Sequence, residues 1–437
     1  MTESALTRGK IIRLAVPVML AQAAIAATGV ADTVIMGVYG DKQDLAAVAV
    51  ASAVFSFIYW GFGFLRMSTT GLVAQAIGRG APQDAQAVLQ RGLLVGVGLG
   101  VLILLISPLL RGFVFQPFGA DPVVEALSRA YFDARIWGAP ALLLQYAITG
   151  WLLGVGRTGT LLFIQIIMNG VNIALDAWFV IVFDWGPAGI GAGTAIAEWA
   201  VALIGLGLVW RSLRPQQGWF QRRAVIEMFS ANRDILIRTL ALLFGFAWFV
   251  RSGAMLGTAH LAGNEVLLQF ITVAAFVLDG FAFVAEKEIG EAYGGRQRTR
   301  LIQAMRITTE MAFVFGVVIS LAYFLIGEAV ISAAISDPEA RHVALIYLPY
   351  CALVPIIGVA AYQLDGFFLG ATQGRAMRTA SVISTLAYVG LDLLLRPIFG
   401  NHGVWLAFLG MYVLRALTLS WYLPSLLAFK RVEEDSV

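Results

Sequence analysis

The chain has 437 residues, of which 59% are hydrophobic and 13% charged, with a mean hydropathy of +0.81. Soluble globular domains carry roughly 25% charged and about 45–50% apolar residues, so these values exclude a water-solvated fold and imply a membrane protein. The net charge of +3 and the pI near 9.0 do not signal a nucleic-acid partner, because the basic residues sit in short connections between apolar runs rather than in a patch.

A spanning helix needs about 20 apolar residues. In chain order the runs 11–37, 45–73, 88–110, 124–152, 160–183, 188–210, 234–258, 264–290, 302–327, 342–371, 379–399 and 403–428 predict twelve of them. All are too long and continuous for barrel strands. The first run follows Arg8, Lys10 and Arg13 and contains Ala21, Ala23, Ala24 and Ala26, which mimics a signal peptide. It runs on to Gly37, long enough to span, and is expected to be a retained first helix. Pro17 lies in its middle, where it removes a backbone hydrogen bond and favours a kink; prolines in membrane helices also simply shape them. Gly92, Gly96 and Gly100 form a small-xxx-small row that signals close helix contact. The longest polar connection runs from Arg211 to about Arg233, dividing the chain into a first half at 1–212, a linker at 213–232 and a second half at 233–437. The one cysteine, Cys351, lies in an apolar run and cannot form an intramolecular disulfide. No lipidation signal and no appended soluble domain are expected.

Twelve spans place 21 of the 30 lysines and arginines in segments on the side of the N-terminus, Arg135 among the 6 on the other side, and Arg66, Arg251 and Arg415 inside helices. Cytoplasmic loops carry the excess of basic residues, so both termini are expected in the cytoplasm. The halves also resemble each other. At an offset of 216, Gly150, Gly154, Leu175, Asp176 and Phe183 fall on Gly366, Gly370, Leu391, Asp392 and Phe399. Six helices per half make this a parallel repeat, a pattern that usually holds substrate between the halves.

Ionisable residues inside a span are expensive and point to function by default. Asp32 falls about 8 Å from the outer end of helix one, Asp176 about 10 Å from the outer end of helix five, and Thr194 about 8 Å into helix six, at 1.5 Å per residue. Asn172 and Asp176, spaced i,i+4, share a helix face. Two carboxylates, an amide and a hydroxyl therefore fall at similar depth in the first half. Two carboxylates in a low-dielectric site cannot both stay ionised cheaply, and one proton, or one sodium ion on hard oxygen ligands, relieves that cost. The plainer alternative is that these groups only hydrogen-bond helices together. Glu198, Tyr131, Asp279, Glu286, Asp365 and Asp392 are secondary candidates, with Arg66, Arg251 and Arg415 as partners for the acids of helices eight and ten. His260, His342 and His402 fall at helix ends, which argues against a buried histidine relay. The second half keeps Asp392 but has Tyr388 and Gly410 where the first has Asn172 and Thr194, so the ion site is expected in the first half alone.

With these residues in view, the chain resembles the multidrug and toxic compound extrusion (MATE) family, in its DinF-like branch. The resemblance spans nearly the whole chain. It rests on Pro17 with Ala31-Asp32-Thr33, on Gln75-Ala76-Ile77-Gly78, on Asn172 to Asp176, on Gly191 to Thr194, and on Leu278-Asp279-Gly280-Phe281-Ala282 followed by Glu286. It implies an all-α, V-shaped fold of twelve helices in two six-helix bundles, in a bacterial cytoplasmic (inner) membrane. It implies export of lipophilic, often cationic small molecules in exchange for protons or sodium by alternating access, without a cofactor. In that branch the residues matching Asp32, Asn172, Asp176 and Thr194 form the proton or sodium site, and the proline matching Pro17 lets helix one bend. Helix seven has no acid of the kind the NorM-like branch places there, which leaves a sodium site in the second half unsupported.

Two other functions fit a polytopic chain. A flippase for a lipid-linked sugar shares the architecture, but its pyrophosphate substrate calls for a cationic cavity rather than inward-facing acids. An integral membrane enzyme calls for an HExxH, a clustered Asp-x-x-Asp or a Gly-x-Ser-x-Gly motif; the first and last are absent, and Asp41 and Asp44 alone have the Asp-x-x-Asp spacing, in a connection between apolar runs. The expected partners are small-molecule substrates and membrane lipids, with one chain sufficient because it holds both halves.

Overall fold

The computed structural model describes residues 6–116, 121–213 and 222–429. Among the described residues fifteen α-helices run in chain order: α1 Arg8–Tyr39, α2 Lys42–Gly61, α3 Phe64–Gly78, α4 Pro82–Phe113, α5 Pro122–Arg135, α6 Ala139–Gly154, α7 Thr158–Ile181, α8 Gly186–Val209, α9 Arg222–Ala254, α10 Thr258–Gly294, α11 Arg298–Ala334, α12 Pro338–Gly370, α13 Gly374–Phe399, α14 Asn401–Trp421 and the short α15 Leu423–Leu427. No strand occurs among the described residues. Together they make twelve spans long and apolar enough to cross a bilayer, in the order the apolar runs predict. Helix α9 begins at Arg222, inside the stretch expected to be linker; residues 214–221, with Arg214, and Lys430 and Arg431 lie outside the described residues.

Two spans are each made of two helices, and the sequence explains both joints. Gly61 and Gly63 flank Phe62 between α2 and α3, and glycine weakens a helix by about 1 kcal/mol relative to alanine. The Phe62 amide tightens onto the Tyr59 carbonyl at 3.0 Å. Between α5 and α6 the chain passes through a 3-10 turn, Ile136–Gly138. Pro140, two residues on, has no amide to donate to the Ile136 carbonyl. The Trp137 carbonyl exposed by this joint accepts a bond from the Trp199 indole at 2.9 Å.

By contact the chain divides into two compact units, Leu20–Ala76 with Ala81–Glu227, and Met1–Met19 with Ile77–Gly80 and Met228–Val437. Helix α1 belongs to both, changing unit just after Pro17. In the first of these units, α4 lies on α6 through its glycine row: a Cβ at Gly96 would stand 2.8 Å from the Leu143 carbonyl oxygen. Helix α6 in turn sets Gly150 on α3, 2.5 Å from the Arg66 carbonyl oxygen by the same measure. In the other unit α12 sets Gly366 on α10, 2.5 Å from the Ala282 carbonyl oxygen. The glycines that align at an offset of 216 therefore do the same packing work in each unit.

The second unit has an aromatic core, with Phe249 4.6 Å from Phe408 and 5.0 Å from Trp405 between ring centroids. Asn264 and Asn401 exchange hydrogen bonds at 2.9 and 3.0 Å beside it. This unit also holds the start of α1. Lys10 lies 3.3 Å from buried Glu288, which further binds Lys287 at 2.8 Å and Arg300 at 3.1 Å, and Gln303 donates to the Leu6 carbonyl at 3.1 Å. Large apolar side chains such as Leu105, Leu325, Ile398 and Trp421 stay exposed; hydrocarbon, not water, is the solvent that suits them.

Candidate functional site

The first unit brings Asp32 of α1, Asn172 and Asp176 of α7, and Thr194 of α8 into one buried cluster. Helix α7 carries the amide and the acid one turn apart, and the Asn172 Nδ2 donates to Asp176 Oδ2 at 2.8 Å. The same nitrogen donates to Thr194 Oγ1 at 3.1 Å. The Thr194 hydroxyl spends its own hydrogen on the Ile190 carbonyl at 2.8 Å. The Asp32 and Asp176 carboxyls interact with each other in this cluster.

The donors of the cluster are thereby used up. Asp32 Oδ1, Asp176 Oδ1 and Asn172 Oδ1 are buried, and no donor among the described residues reaches them. Buried polar atoms are nearly always satisfied, so three such oxygens in one place make an acceptor-rich pocket. Carboxylate and amide oxygens are hard ligands that suit a proton or a sodium ion and do not suit a soft metal. Two interacting carboxyls also repel in a low dielectric unless a positive charge comes between them. Helix α8 shapes the pocket with glycines: a Cβ at Gly193 would collide with Asp176 Oδ1, and one at Gly191 would stand 2.6 Å from the Tyr131 carbonyl oxygen.

Arg135, counted on the outer side in the sequence, instead enters this bundle from the end of α5. Its Nη1 donates to the Tyr131 hydroxyl at 2.6 Å, and Nη2 lies 3.5 Å from Glu198 Oε1. Its guanidinium carbon is 5.0 Å from the Phe55 ring centre and 5.9 Å from those of Tyr59 and Tyr131. Ser52 completes the group by donating to the Tyr131 hydroxyl at 3.3 Å. Tyr131 and Glu198 thus join through an arginine that the loop count hid. Its signal in the sequence was the spacing Tyr131, Arg135, one i,i+4 face of an otherwise apolar span.

The acids of the second unit are differently placed. Asp365 of α12 takes both Arg238 of α9 and Arg415 of α14 on its Oδ2. Arg238, near the start of the apolar run 234–258, is buried. Asp279 and Glu286 of α10 act electrostatically on Arg238, and Asp279 also on Arg415. Arg251 pairs with none of these acids; it is exposed and stacks on Trp248 at 4.7 Å. Asp392, which aligns with Asp176, gathers its donors on Oδ2, while its Oδ1 is buried without a partner among the described residues, as Asp176 Oδ1 is. The Trp248 indole reaches its Oδ2 at 2.9 Å, the Ser252 hydroxyl at 2.8 Å, and Arg396 lies 3.4 Å away. Where Asn172 stands in the first unit the second has buried Tyr388, so the repeat preserves one acid and not the pocket. Among the described residues no cluster of histidine, cysteine, aspartate and glutamate has the make-up of a metal centre.

The MatE family profile matches residues 17–178 and 235–394. The chain is 34% identical over 418 residues to DNA damage-inducible protein F of Escherichia coli, covering 93% of this chain and 90% of that protein. It is 21% identical over 450 residues to the "Probable multidrug resistance protein NorM" of Halalkalibacterium halodurans, covering 97% and 96%. A solved outward-facing conformation of a multidrug resistance MATE family transporter of the MOP superfamily superposes with a TM-score of 0.88 at 19% identity, over 97% of this chain and 96% of that one.

Proposed function

The chain belongs to the MatE family of transporters, and from that premise we propose that it exports lipophilic or cationic small molecules, driven by protons or sodium ions that enter through the Asp32–Asp176 site. The observation that carries this reading is the pocket itself. Three buried oxygens without a donor, two of them on carboxyls that act on each other, form a site whose charge balance favours one small cation. Asp32, Asn172, Asp176 and Thr194 hold that ion, and its arrival and departure change how α1, α7 and α8 attract one another. Helix α1 carries Asp32 in one unit and its start, Arg8 to Met19, in the other. Pro17, at the missing hydrogen bond next to that division, is the place where bending costs least. The transporter alternates access in the cytoplasmic membrane of a bacterium, with both termini inside and one chain sufficient.

Proteoliposomes loaded under an imposed pH gradient, then a sodium gradient, with a fluorescent cationic dye as substrate, test this. One of the two gradients should drive dye flux, and Asp32→Asn should abolish it while the protein remains in the membrane. Dye flux at the normal rate in that variant refutes the site. If neither gradient moves any dye, and the chain instead restores polysaccharide synthesis in a flippase-deficient strain, the lipid-linked sugar reading replaces it.

A further inference from the structure

We propose that Arg135 is the resident counter-cation of the Asp32–Asp176 site, supplying the positive charge that stabilises the site after its ion has left, and that Glu198 sets how much of that charge reaches the aspartates. The inference rests on the reading that these two aspartates carry the coupling ion. An exchanger must pass through a state in which the ion is gone, and a buried, uncompensated carboxylate is strongly unfavourable. Some fixed cation must therefore stand near the pair, close enough to be felt and not so close as to close the site.

Arg135 has that placement. Helix α8 sets the end of α5 beside the aspartate: a Cβ at Gly191 would stand 3.3 Å from the Arg135 amide nitrogen, and one at Gly193, two residues on, would collide with Asp176 Oδ1; the Arg135 charge acts on both Asp32 and Asp176. The aromatic rings of Phe55, Tyr59 and Tyr131 hold its guanidinium by their faces, which attracts a cation without neutralising it. Its contact with Glu198 is a single 3.5 Å approach rather than the two parallel bonds of a closed arginine–carboxylate pair. Arg135 Nε and Glu198 Oε2 are each buried without a partner among the described residues. The cation is half committed to Glu198, and the remainder of its field falls on the aspartates. Gly138 makes room for this geometry, since a Cβ there would strike Glu198 Oε2. The ionisable groups that face Arg135 are Asp32 on α1, Tyr59 on α2, Tyr131 on its own helix, Tyr146 on α6, Asp176 on α7 and Glu198 on α8, with Arg66 on α3 acting on Tyr146. Of these, Glu198 is the acid that the Arg135 guanidinium approaches, at 3.5 Å, so Glu198 competes with the aspartates for its charge.

Two substitutions should therefore move the same quantity in opposite directions. Full-length protein in proteoliposomes is assayed for gradient-driven flux of a cationic dye across a pH series. Arg135→Met removes the counter-cation, so the aspartates keep their proton to higher pH and the midpoint of the profile should rise, by roughly tenfold in proton concentration. Glu198→Gln frees Arg135 for the aspartates, and the midpoint should fall. Arg135→Lys keeps the charge and should stay near the parent profile. If sodium is the driving ion, the same variants should tighten, weaken and preserve its apparent affinity. Lower flux at every pH with no shift, or shifts of the same sign in Arg135→Met and Glu198→Gln, overturns the proposal, as does an Arg135→Lys profile matching Arg135→Met. Should Arg135→Met fail to fold, an unshifted Glu198→Gln overturns it alone. Asp32→Asn, run alongside, separates the two ideas: surviving flux there removes the ion site, whereas lost flux with unshifted profiles removes only the role of Arg135.

Discussion

Gly193 determines where the Asp176 carboxyl can sit. A methyl group there meets both Asp176 Oδ1 and, at 3.0 Å, the Asp176 amide nitrogen, so Gly193→Ala must push α7 from α8 or turn the carboxyl away. Overpacking of this kind costs about 1–3 kcal/mol. The expected outcome is a lowered melting temperature together with a loss of gradient-driven flux larger than the loss of folded protein; full flux at the parental rate would show that Asp176 works from another rotamer. The four residues Asp32, Asn172, Asp176 and Thr194 were legible in the sequence because acids and amides stand out in apolar runs and helical rise gives their depth. Arg135 was not legible, because a basic residue eleven positions into a span that starts near 124 reads equally well as the edge of a loop. Only the 3-10 joint at Ile136–Gly138, and the rings of α2 opposite it, turn that arginine inward.

At the scale of elements, α1 is anchored at its start by two ion pairs of unequal worth. Arg8 meets Glu310 at 2.9 Å on the surface, with both side chains more than a third exposed, and such pairs contribute about 0–1 kcal/mol. Glu288 is fully buried and shared by Lys10, Lys287 and Arg300. Removing this buried carboxylate takes the partner from Lys10 and leaves Lys287 and Arg300 to share Glu291, at 2.8 and 2.6 Å, a change that costs up to about 3–5 kcal/mol. Thermal unfolding in detergent should therefore show a marked loss of stability for Glu288→Gln and almost none for Arg8→Ala. Equal shifts in the two would mean that the buried cluster is open to water. The paired glycines show the same economy of means: Gly150 on α3 and Gly366 on α10 repeat one helix contact in both units, while the broken spans α2–α3 and α5–α6 occur in the first unit, where the acceptor-rich pocket is.

For the whole molecule the governing fact is the solvent. Val314, Val318 and Leu321 lie mid-way along α11 and are about half exposed, a surface that only hydrocarbon accepts. A charge at the centre of a span costs about 2.5–3.5 kcal/mol on insertion scales. Val318→Arg should therefore reduce the fraction of chains inserted, read by membrane fractionation, whereas Ser320→Ala on the buried side should insert normally and lose only its hydroxyl bond to the Ala352 carbonyl at 2.6 Å. Normal insertion of Val318→Arg would place that face of α11 against protein or water.

The sequence by itself determined the twelve spans, their order, the repeat and the four polar residues of the pocket. Each of these follows from local quantities: bilayer thickness against helical rise, the rarity of charge in an apolar run, and the i,i+4 face. The tertiary structure decided everything that depends on which helix stands opposite which. It moved Arg135 from the outer side into a helix bundle, set two arginines on one oxygen of Asp365 and the donors of Asp392 on one oxygen, and left Asp32, Asn172, Asp176, Asp365 and Asp392 each with another oxygen that no donor among the described residues reaches. Partners of buried charges come from positions far apart in the chain, for example Arg238 and Asp365, and no local period records them. Which partners a buried acid receives is thus a property of packing, and the aligned acids Asp176 and Asp392 receive different ones in the two halves of this chain.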